Sequence, residues 1–97
     1  MSLPLVIVKV TDKFDKQFSK IDRASQRRIS LELEKLTSDR YAGEKLVRDL
    51  KGYYSLHCDD FRVIYHVDDS DEVILVAVGH RNRIYANVYR CVQIARN

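Results

Sequence analysis

The stretch from Tyr53 to Tyr85 constrains the fold of this chain more than any other, because it alternates strand-like runs with short acidic turns. Its sequence is YYSLHCDDFRVIYHVDDSDEVILVAVGHRNRIY. Runs rich in Val, Ile, Tyr and Phe that are bounded by Asp and Ser are typical of β-strands joined by tight turns, so we predict three strands at about 53–58, 61–67 and 73–79. The third run, VILVAV, is apolar throughout and predicts a central strand covered on both faces.

The residues before this sheet predict one strand and two helices. LPLVIVKV, at residues 3–10, has the composition of a strand. Thr11 and Asp22 are residue types that commonly cap the N-terminus of a helix. Apolar residues then recur at helical spacing after each cap, as Phe14, Phe18 and Ile21 and as Ile29, Leu33 and Leu36. Since almost nothing separates the two patterns, they predict an antiparallel helical hairpin.

The remaining segments have weaker patterns. Residues 37–52 contain Gly43 and Gly52 with few apolar anchors, which favours a loop with a helical turn. Residues 83–95 carry apolar side chains at the spacing of a short amphipathic helix. We therefore predict a single α+β domain over residues 1–97, in the order β-α-α-β-β-β-α, with the helical hairpin on one face of an antiparallel sheet.

Composition limits the class of protein. The chain has 97 residues, of which 45% are hydrophobic and 32% charged, as in ordinary globular proteins. It lacks an apolar run near the ~20 residues of a membrane span, and its start lacks the features of a secretory signal. We expect a cytoplasmic protein without membrane contact. Cys58 and Cys91 are too few and too far apart for a disulfide framework or a metal cluster. Cys58, between apolar strand residues, predicts a buried thiol. We expect no metal and no cofactor.

Positive charge is clustered along the chain, although the net charge is only +3. After Glu72 the sequence contains arginines and no acid, at Arg81, Arg83, Arg90 and Arg96. A second basic group precedes the predicted sheet, at Arg40, Lys45, Arg48 and Lys51. Such clusters suit a polyanionic partner, either nucleic acid or an acidic protein segment, whereas scattered arginines also occur on surfaces that bind nothing.

Strand alternation sorts the side chains of the predicted sheet onto two faces. We expect one face to pack on the helices, with Tyr54, Leu56, Cys58, Phe61, Val63, Tyr65 and Val67. The opposite face would carry Tyr53, Ser55, His57, Arg62, Ile64 and His66. His57 and Arg62 flank the Asp59-Asp60 turn and are therefore predicted to be cross-strand neighbours. With Arg81 at the end of the third strand, two guanidinium groups on one small sheet form a site for a phosphate.

These residues carry a resemblance to a known family. The chain resembles toxins of the RelE/ParE superfamily of type II toxin–antitoxin modules, and the RelE-like branch in particular. The resemblance runs from LVIVKVTDKFDKQFSKI to the final helix and is most specific in KLVRDLKGYYSLHCDDFRVIY and VAVGHRNRIY. It implies a RelE-like fold and a metal-independent ribonuclease that cleaves messenger RNA in the ribosomal A site. In that reaction a ribose 2′-hydroxyl attacks the adjacent phosphate and the 5′-hydroxyl of the next nucleotide leaves.

The resemblance also implies site residues and partners. Arg62 falls on the family's catalytic strand arginine, Arg81 on its second arginine and Tyr85 on its tyrosine near the C-terminus. His57 adds an imidazole, which can donate or accept a proton near neutral pH. Basic side chains expected to bind RNA are Lys45, Arg48, Lys51 and Arg83. The implied partners are a cognate antitoxin that covers the cationic site, the ribosome and messenger RNA, with operator DNA bound only through the antitoxin complex.

Departures from the family pattern keep other functions open. Ser55 and His57 stand where active RelE-like toxins often carry Lys or Arg, and Asp59 stands at the family's turn glycine. The acidic turn would weaken the grip on a phosphate. A ParE-like inhibitor of DNA gyrase without nuclease activity, or a catalytically inactive member, remains an alternative. Each residue also has a structural interpretation: Arg62 as the partner of a nearby acid, His57 as an exposed strand residue, Tyr85 as a packing residue.

Overall fold

The computed structural model describes residues 6–86 and 88, within which two helices cover one face of a five-stranded sheet. The elements are β1 Val8–Val10, α1 Asp12–Ser19, α2 Arg23–Leu33, β2 Glu44–Lys45, β3 Tyr53–Cys58, β4 Phe61–Val67 and β5 Val73–His80. Two 3-10 helices lie at Glu34–Thr37 and Arg48–Leu50. The predicted α+β class is confirmed. Among the described helices, none has the length and apolar character needed to cross a membrane.

The strand order is β1-β5-β4-β3-β2. β2, β3, β4 and β5 pair antiparallel in succession, whereas β1 pairs with β5 in parallel, Val8 lying opposite Val73. After β1, the helical hairpin leads to β2 at the opposite edge of the sheet. The chain then runs back across the sheet through β3 and β4 to β5, which lies beside β1 and parallel to it. The predicted sheet is thus antiparallel except for this one pair. β5 is an inner strand, but β4 occupies the middle of the five.

The helices begin where the capping residues predict. The Thr11 hydroxyl accepts a hydrogen bond from the backbone N–H of Phe14 (3.2 Å), and the Asp22 carboxylate accepts one from Ser25 (3.0 Å). Each satisfies a backbone donor that the first turn of a helix leaves without a partner. α1 ends before the apolar pattern does, so Ile21 packs on the core from the short connection between the helices.

Two apolar clusters lie on opposite faces of the sheet. The cluster on the helix side comprises Phe14, Ile29, Leu36, Leu56, Cys58, Val63, Tyr65, Val73, Leu75 and Val78. The cluster on the other face comprises Ile64, Ala77, Ile84 and Val88. This division confirms the predicted parity of β3 and β4. Residues 84–86 and 88 are helical and belong to the predicted tail helix, whereas residues 87 and 89–95 of that prediction lie outside the described residues.

The segment before β3 contains more structure than the predicted loop. Its helical turn is present at Arg48–Leu50, but β2 also adds a fifth strand that the sequence did not indicate, because two residues are too few to show a period. Glu44 pairs with Ser55. Gly43 permits the close approach of this segment to the sheet, since a Cβ at that position would lie 2.8 Å from the ring of Tyr65. The Tyr65 hydroxyl accepts a hydrogen bond from the Gly43 N–H (2.9 Å).

Candidate functional site

A row of paired residues across β3, β4 and β5 brings two of the predicted site residues together. His57 lies directly opposite Arg62, and Arg62 lies directly opposite Gly79. Opposed residues of an antiparallel pair project from the same face. His57 and Arg62 are therefore cross-strand neighbours on the face away from the helices, as predicted. Ile84 packs over Gly79, where a Cβ would meet its Cδ1 at 3.3 Å.

Arg81 is held at the same end of the sheet through its backbone. Its N–H donates a hydrogen bond to the Asp60 carbonyl (2.8 Å), which ties the end of β5 to the β3–β4 turn. The guanidinium Nε lies 3.9 Å from the Asp60 carboxylate, and the two side chains are 56% and 67% exposed. An ion pair this long and this exposed contributes little to the stability of the fold. The guanidinium can therefore leave this contact for a phosphate at small cost.

Arg62 binds the turn, and among the described residues no carboxylate pairs with it. Its Nη1 donates to the carbonyls of Asp59 (2.7 Å) and Phe61 (2.8 Å). The alternative interpretation of Arg62 predicted a salt bridge with a nearby acid. The structure has two hydrogen bonds to backbone oxygens instead. Only Nη1 takes part in them, and a guanidinium has five N–H donors. The contact orients the half-buried side chain without neutralising its charge.

The acidic turn is partly neutralised from the helix side. Asp59 adopts the left-handed conformation (φ 55°), which Asp tolerates better than most residues other than glycine. This explains how the chain forms the turn without the family's glycine. The Asp59 carboxylate accepts a hydrogen bond from Arg28 on α2 (3.0 Å). Both side chains are exposed, so this pair reduces the negative charge beside the site only in part.

His57 has a carboxylate partner that the sequence did not indicate. Its Nε2 lies 3.0 Å from Oε2 of Glu44, and the two side chains are 51% and 66% exposed. Glu44 reaches the imidazole because β2 places it opposite Ser55, on the same face of the sheet as His57. No local pattern marks a glutamate in a two-residue strand, so the pairing follows only from the fold.

Ser55 anchors Tyr85 over this face. Ser55 is fully buried, and its hydroxyl lies 3.0 Å from the hydroxyl of Tyr85, with either oxygen able to donate. Ser55 and His57 are two positions apart on β3 and share a face, which brings the half-buried Tyr85 to the predicted site. Ser55 stands at the position that often carries a cation in active RelE-like toxins, and here it holds Tyr85 by a hydrogen bond instead. A long cation in its place would have to displace Tyr85.

The four residues predicted to bind RNA are exposed, but they do not form one patch. Lys45 pairs with Tyr54 and so lies on the helix face of the edge strand, away from His57. Arg48 and Lys51 flank Leu50, whose side chain packs on the cluster of the site face. Arg83 lies in the turn after β5, where its N–H donates to the His80 carbonyl (2.9 Å).

Three further features concern the chemistry available. A cleft of about 360 Å³ lies beside His57 and Ser55, bordered by Glu44 and, from the helix side, by Glu32 and Lys35. Burial raises the pKa of the Cys58 thiol to about 12, which confirms the predicted buried thiol and keeps it uncharged. Within residues 6–86 and 88, no group of three or more His, Cys, Asp or Glu side chains is arranged to hold a metal ion.

Comparison with known proteins gives consistent likenesses. The family model described as the ParE toxin of the type II toxin–antitoxin system, parDE, matches residues 8–85. A protein of Escherichia coli that is provisionally named a RelE-like toxin is 32% identical over 79 residues, which is 78% of this chain and 83% of that protein.

Solved structures extend the likeness to the fold. The RelBE2 toxin–antitoxin complex of Mycobacterium tuberculosis matches with a TM-score of 0.72 at 22% identity, covering 80% of this chain and 100% of that chain. A mutant of the Escherichia coli toxin RelE in the free state matches with a TM-score of 0.71 at 16% identity, covering 96% and 98%. The RelB–RelE complex of Methanococcus jannaschii matches with a TM-score of 0.64 at 20% identity, covering 81% and 96%. At identities this low the matches show the fold alone. They confirm the fold expected from the resemblance.

Proposed function

We propose that this chain, which belongs to the ParE toxin family within the RelE/ParE superfamily of toxins from type II toxin–antitoxin modules, is a ribosome-dependent endoribonuclease. In this proposal it acts in the cytoplasm and cleaves messenger RNA in the ribosomal A site. The observation that supports it most is the direct pairing of the exposed His57 with the half-buried Arg62 at one end of the sheet, with Arg81 tied to the turn between them. Metal-independent RNA cleavage needs such a set: a group that transfers protons, and cations for the growing charge on phosphate.

The proposed reaction assigns each group one part. His57 takes the proton of the ribose 2′-hydroxyl as the 2′ oxygen forms its bond to phosphorus. The bond from phosphorus to the 5′ oxygen breaks, and the Tyr85 hydroxyl donates a proton to that oxygen. The products are a 2′,3′-cyclic phosphate and a 5′-hydroxyl, and exchange with water restores both side chains. Arg62 and Arg81 stabilise the negative charge on the non-bridging oxygens.

The partners follow the charge of the surface. Arg48, Lys51 and Arg83 are exposed and would contact ribosomal RNA through its phosphates. Lys45, on the other face, would contact a different part of the ribosome. The solved relatives from Mycobacterium tuberculosis and Methanococcus jannaschii are toxin–antitoxin complexes. We expect this chain to bind a cognate antitoxin that covers the arginines, and to meet operator DNA only through that complex.

A second candidate is inhibition of DNA gyrase without nuclease activity. Three observations favour it: the matching family model is that of a ParE toxin, Ser55 is buried beneath Tyr85 and offers no charge, and carboxylates of Glu44 and Asp60 lie beside the proposed phosphate site. Each acid lowers the positive potential that a phosphate would meet. The nuclease is preferred because it gives a role to the neighbouring His57 and Arg62.

Induced expression in a bacterial host distinguishes the two candidates. Primer extension on a reporter messenger RNA should show new 5′ ends within codons soon after induction, in cells without a DNA-damage response. Arg81→Ala should strongly reduce these new ends. Arg27→Ala is its matched control and should behave like the parent, because Arg27 is an exposed arginine on α2 and lies on the opposite side of the sheet. Intact RNA together with a DNA-damage response would reject the nuclease and support gyrase as the target.

A further inference from the structure

The contact between Glu44 and His57 has no evident part in stabilising the fold. The atoms are 3.0 Å apart, yet both side chains are more than half exposed, at 66% and 51%. Exposed ion pairs contribute little to stability because water screens the charges and two side chains must be ordered. A short contact of this kind on the proposed site face therefore calls for a functional explanation.

The fold fixes Glu44 in place more firmly than its exposure suggests. On one side of it, the Gly43 N–H donates to the buried Tyr65 hydroxyl (2.9 Å). On the other, the Leu46 N–H donates to the Tyr53 carbonyl (3.0 Å), and the Leu46 side chain packs on the cluster of the site face. The backbone of Glu44 is thus held against β3 at both ends, and its register opposite Ser55 is determined.

An imidazole that transfers protons works only when the correct nitrogen faces the substrate. In a neutral imidazole one nitrogen carries the proton and the other a lone pair, and the partner of the first determines which is which. A carboxylate next to the ring does this and also stabilises the positive charge that the ring acquires when it takes a proton. The charged groups around this ring are Glu44, the opposed Arg62, and Glu32 and Lys35 across the cleft.

We propose that Glu44 is a positioning residue for His57. Its carboxylate accepts a hydrogen bond from Nε2–H of the neutral imidazole, which presents the lone pair of Nδ1 to the 2′-hydroxyl of the RNA. This inference rests on the proposed nuclease function for its kinetic consequence, but the contact itself can be measured without RNA. Glu44 does not touch the reacting atoms.

The contact is tested by NMR of the ¹⁵N-labelled imidazole in the full chain. The parent should show the proton of His57 on Nε2, with its exchange slowed by the hydrogen bond. Glu44→Ala should lose this signal to exchange with water, whereas Glu44→Gln should retain it, because an amide oxygen also accepts. Glu34→Ala, at an exposed glutamate of the 3-10 helix after α2, is the matched control and should leave the spectrum unchanged. A proton on Nδ1, or an identical spectrum in Glu44→Ala, would overturn the proposal.

The role in catalysis is tested by a double-mutant cycle on programmed ribosomes. Glu44→Ala should slow cleavage about 10-fold or more, as part of the 10²–10⁴-fold that general acid–base catalysis contributes. In a His57→Gln background the same change should have no further effect, since residues that act as a unit are not additive. Glu44→Gln should restore part of the rate.

The outcomes separate the inference from the proposed function. If the parent cleaves RNA and Glu44→Ala cleaves it equally fast, or if the two substitutions have independent effects, the positioning role is wrong and the nuclease remains. If no variant cleaves RNA while the NMR contact is present, the nuclease is wrong and Glu44 still orients His57. A merely structural role for Glu44 would lower the melting temperature without dependence on His57.

Discussion

Leu56→Ala should destabilise the protein strongly, because Leu56 joins β3 to the core beneath the helices. Its side chain is 5% exposed and belongs to the cluster that contains Ile29 and Val63. The substitution removes three carbon groups, worth about 0.8 kcal/mol each in transfer from water, or roughly 2.4 kcal/mol in all. The cavity left behind adds about 24 cal/mol per Å³, so the expected loss is about 2–5 kcal/mol. This is a large part of the roughly 5–15 kcal/mol that stabilises a small domain.

The assay is urea denaturation followed by far-UV circular dichroism. Leu31→Ala is the matched control, since Leu31 lies on α2 and is 63% exposed. It removes the same atoms and should cost about 0.5 kcal/mol or less, as surface substitutions usually do. Both variants are made in an Arg81→Ala background, so that host cells tolerate expression. Equal losses for Leu56→Ala and Leu31→Ala would refute the assigned parity of β3.

Two other predictions concern tightly packed positions. Gly43→Ala should lower the free energy of unfolding by about 1–3 kcal/mol, as overpacking does, because its Cβ would lie 2.8 Å from the Tyr65 ring; an unchanged denaturation midpoint would show that this segment is not held against the sheet. For Cys58, burial raises the pKa from 9.0 to about 12, so the unfolded thiol ionises first and the free energy of unfolding should fall as the pH rises from 9 toward 12. In a Cys91→Ser background, fast labelling of the native protein by a thiol reagent at pH 8 would contradict the burial of Cys58 on which this prediction depends.

Local patterns in the sequence predict the parts of the fold that depend on local physics. Thr11 and Asp22 mark helix starts because their side chains bond backbone donors three residues away. The faces of β3 and β4 follow from alternation, since one register buries Leu56 and Val63 together and a one-residue shift would expose both.

Long-range pairings could not be predicted in the same way. β2 is too short to show a period, so its register and the contact of Glu44 with His57 appear only in the folded chain. The hydrogen bond between Ser55 and Tyr85 joins residues 30 positions apart. From the sequence, Ser55 could be read only as a position that lacks the cation found in many RelE-like toxins. A sequence pattern records which residues are buried, but not which distant partner each one meets.

The most direct test of the central claim is cleavage of messenger RNA by purified protein on programmed ribosomes. The parent should cut within the A-site codon and leave a 2′,3′-cyclic phosphate. Arg81→Ala should lower the single-turnover rate by about 10²–10³-fold, the usual cost of removing a preorganised charge donor, and His57→Gln should also slow cleavage. Arg27→Ala should cleave like the parent. Failure of the parent to cut ribosome-bound RNA, or equal rates in Arg81→Ala, His57→Gln and the parent, would contradict the nuclease assignment.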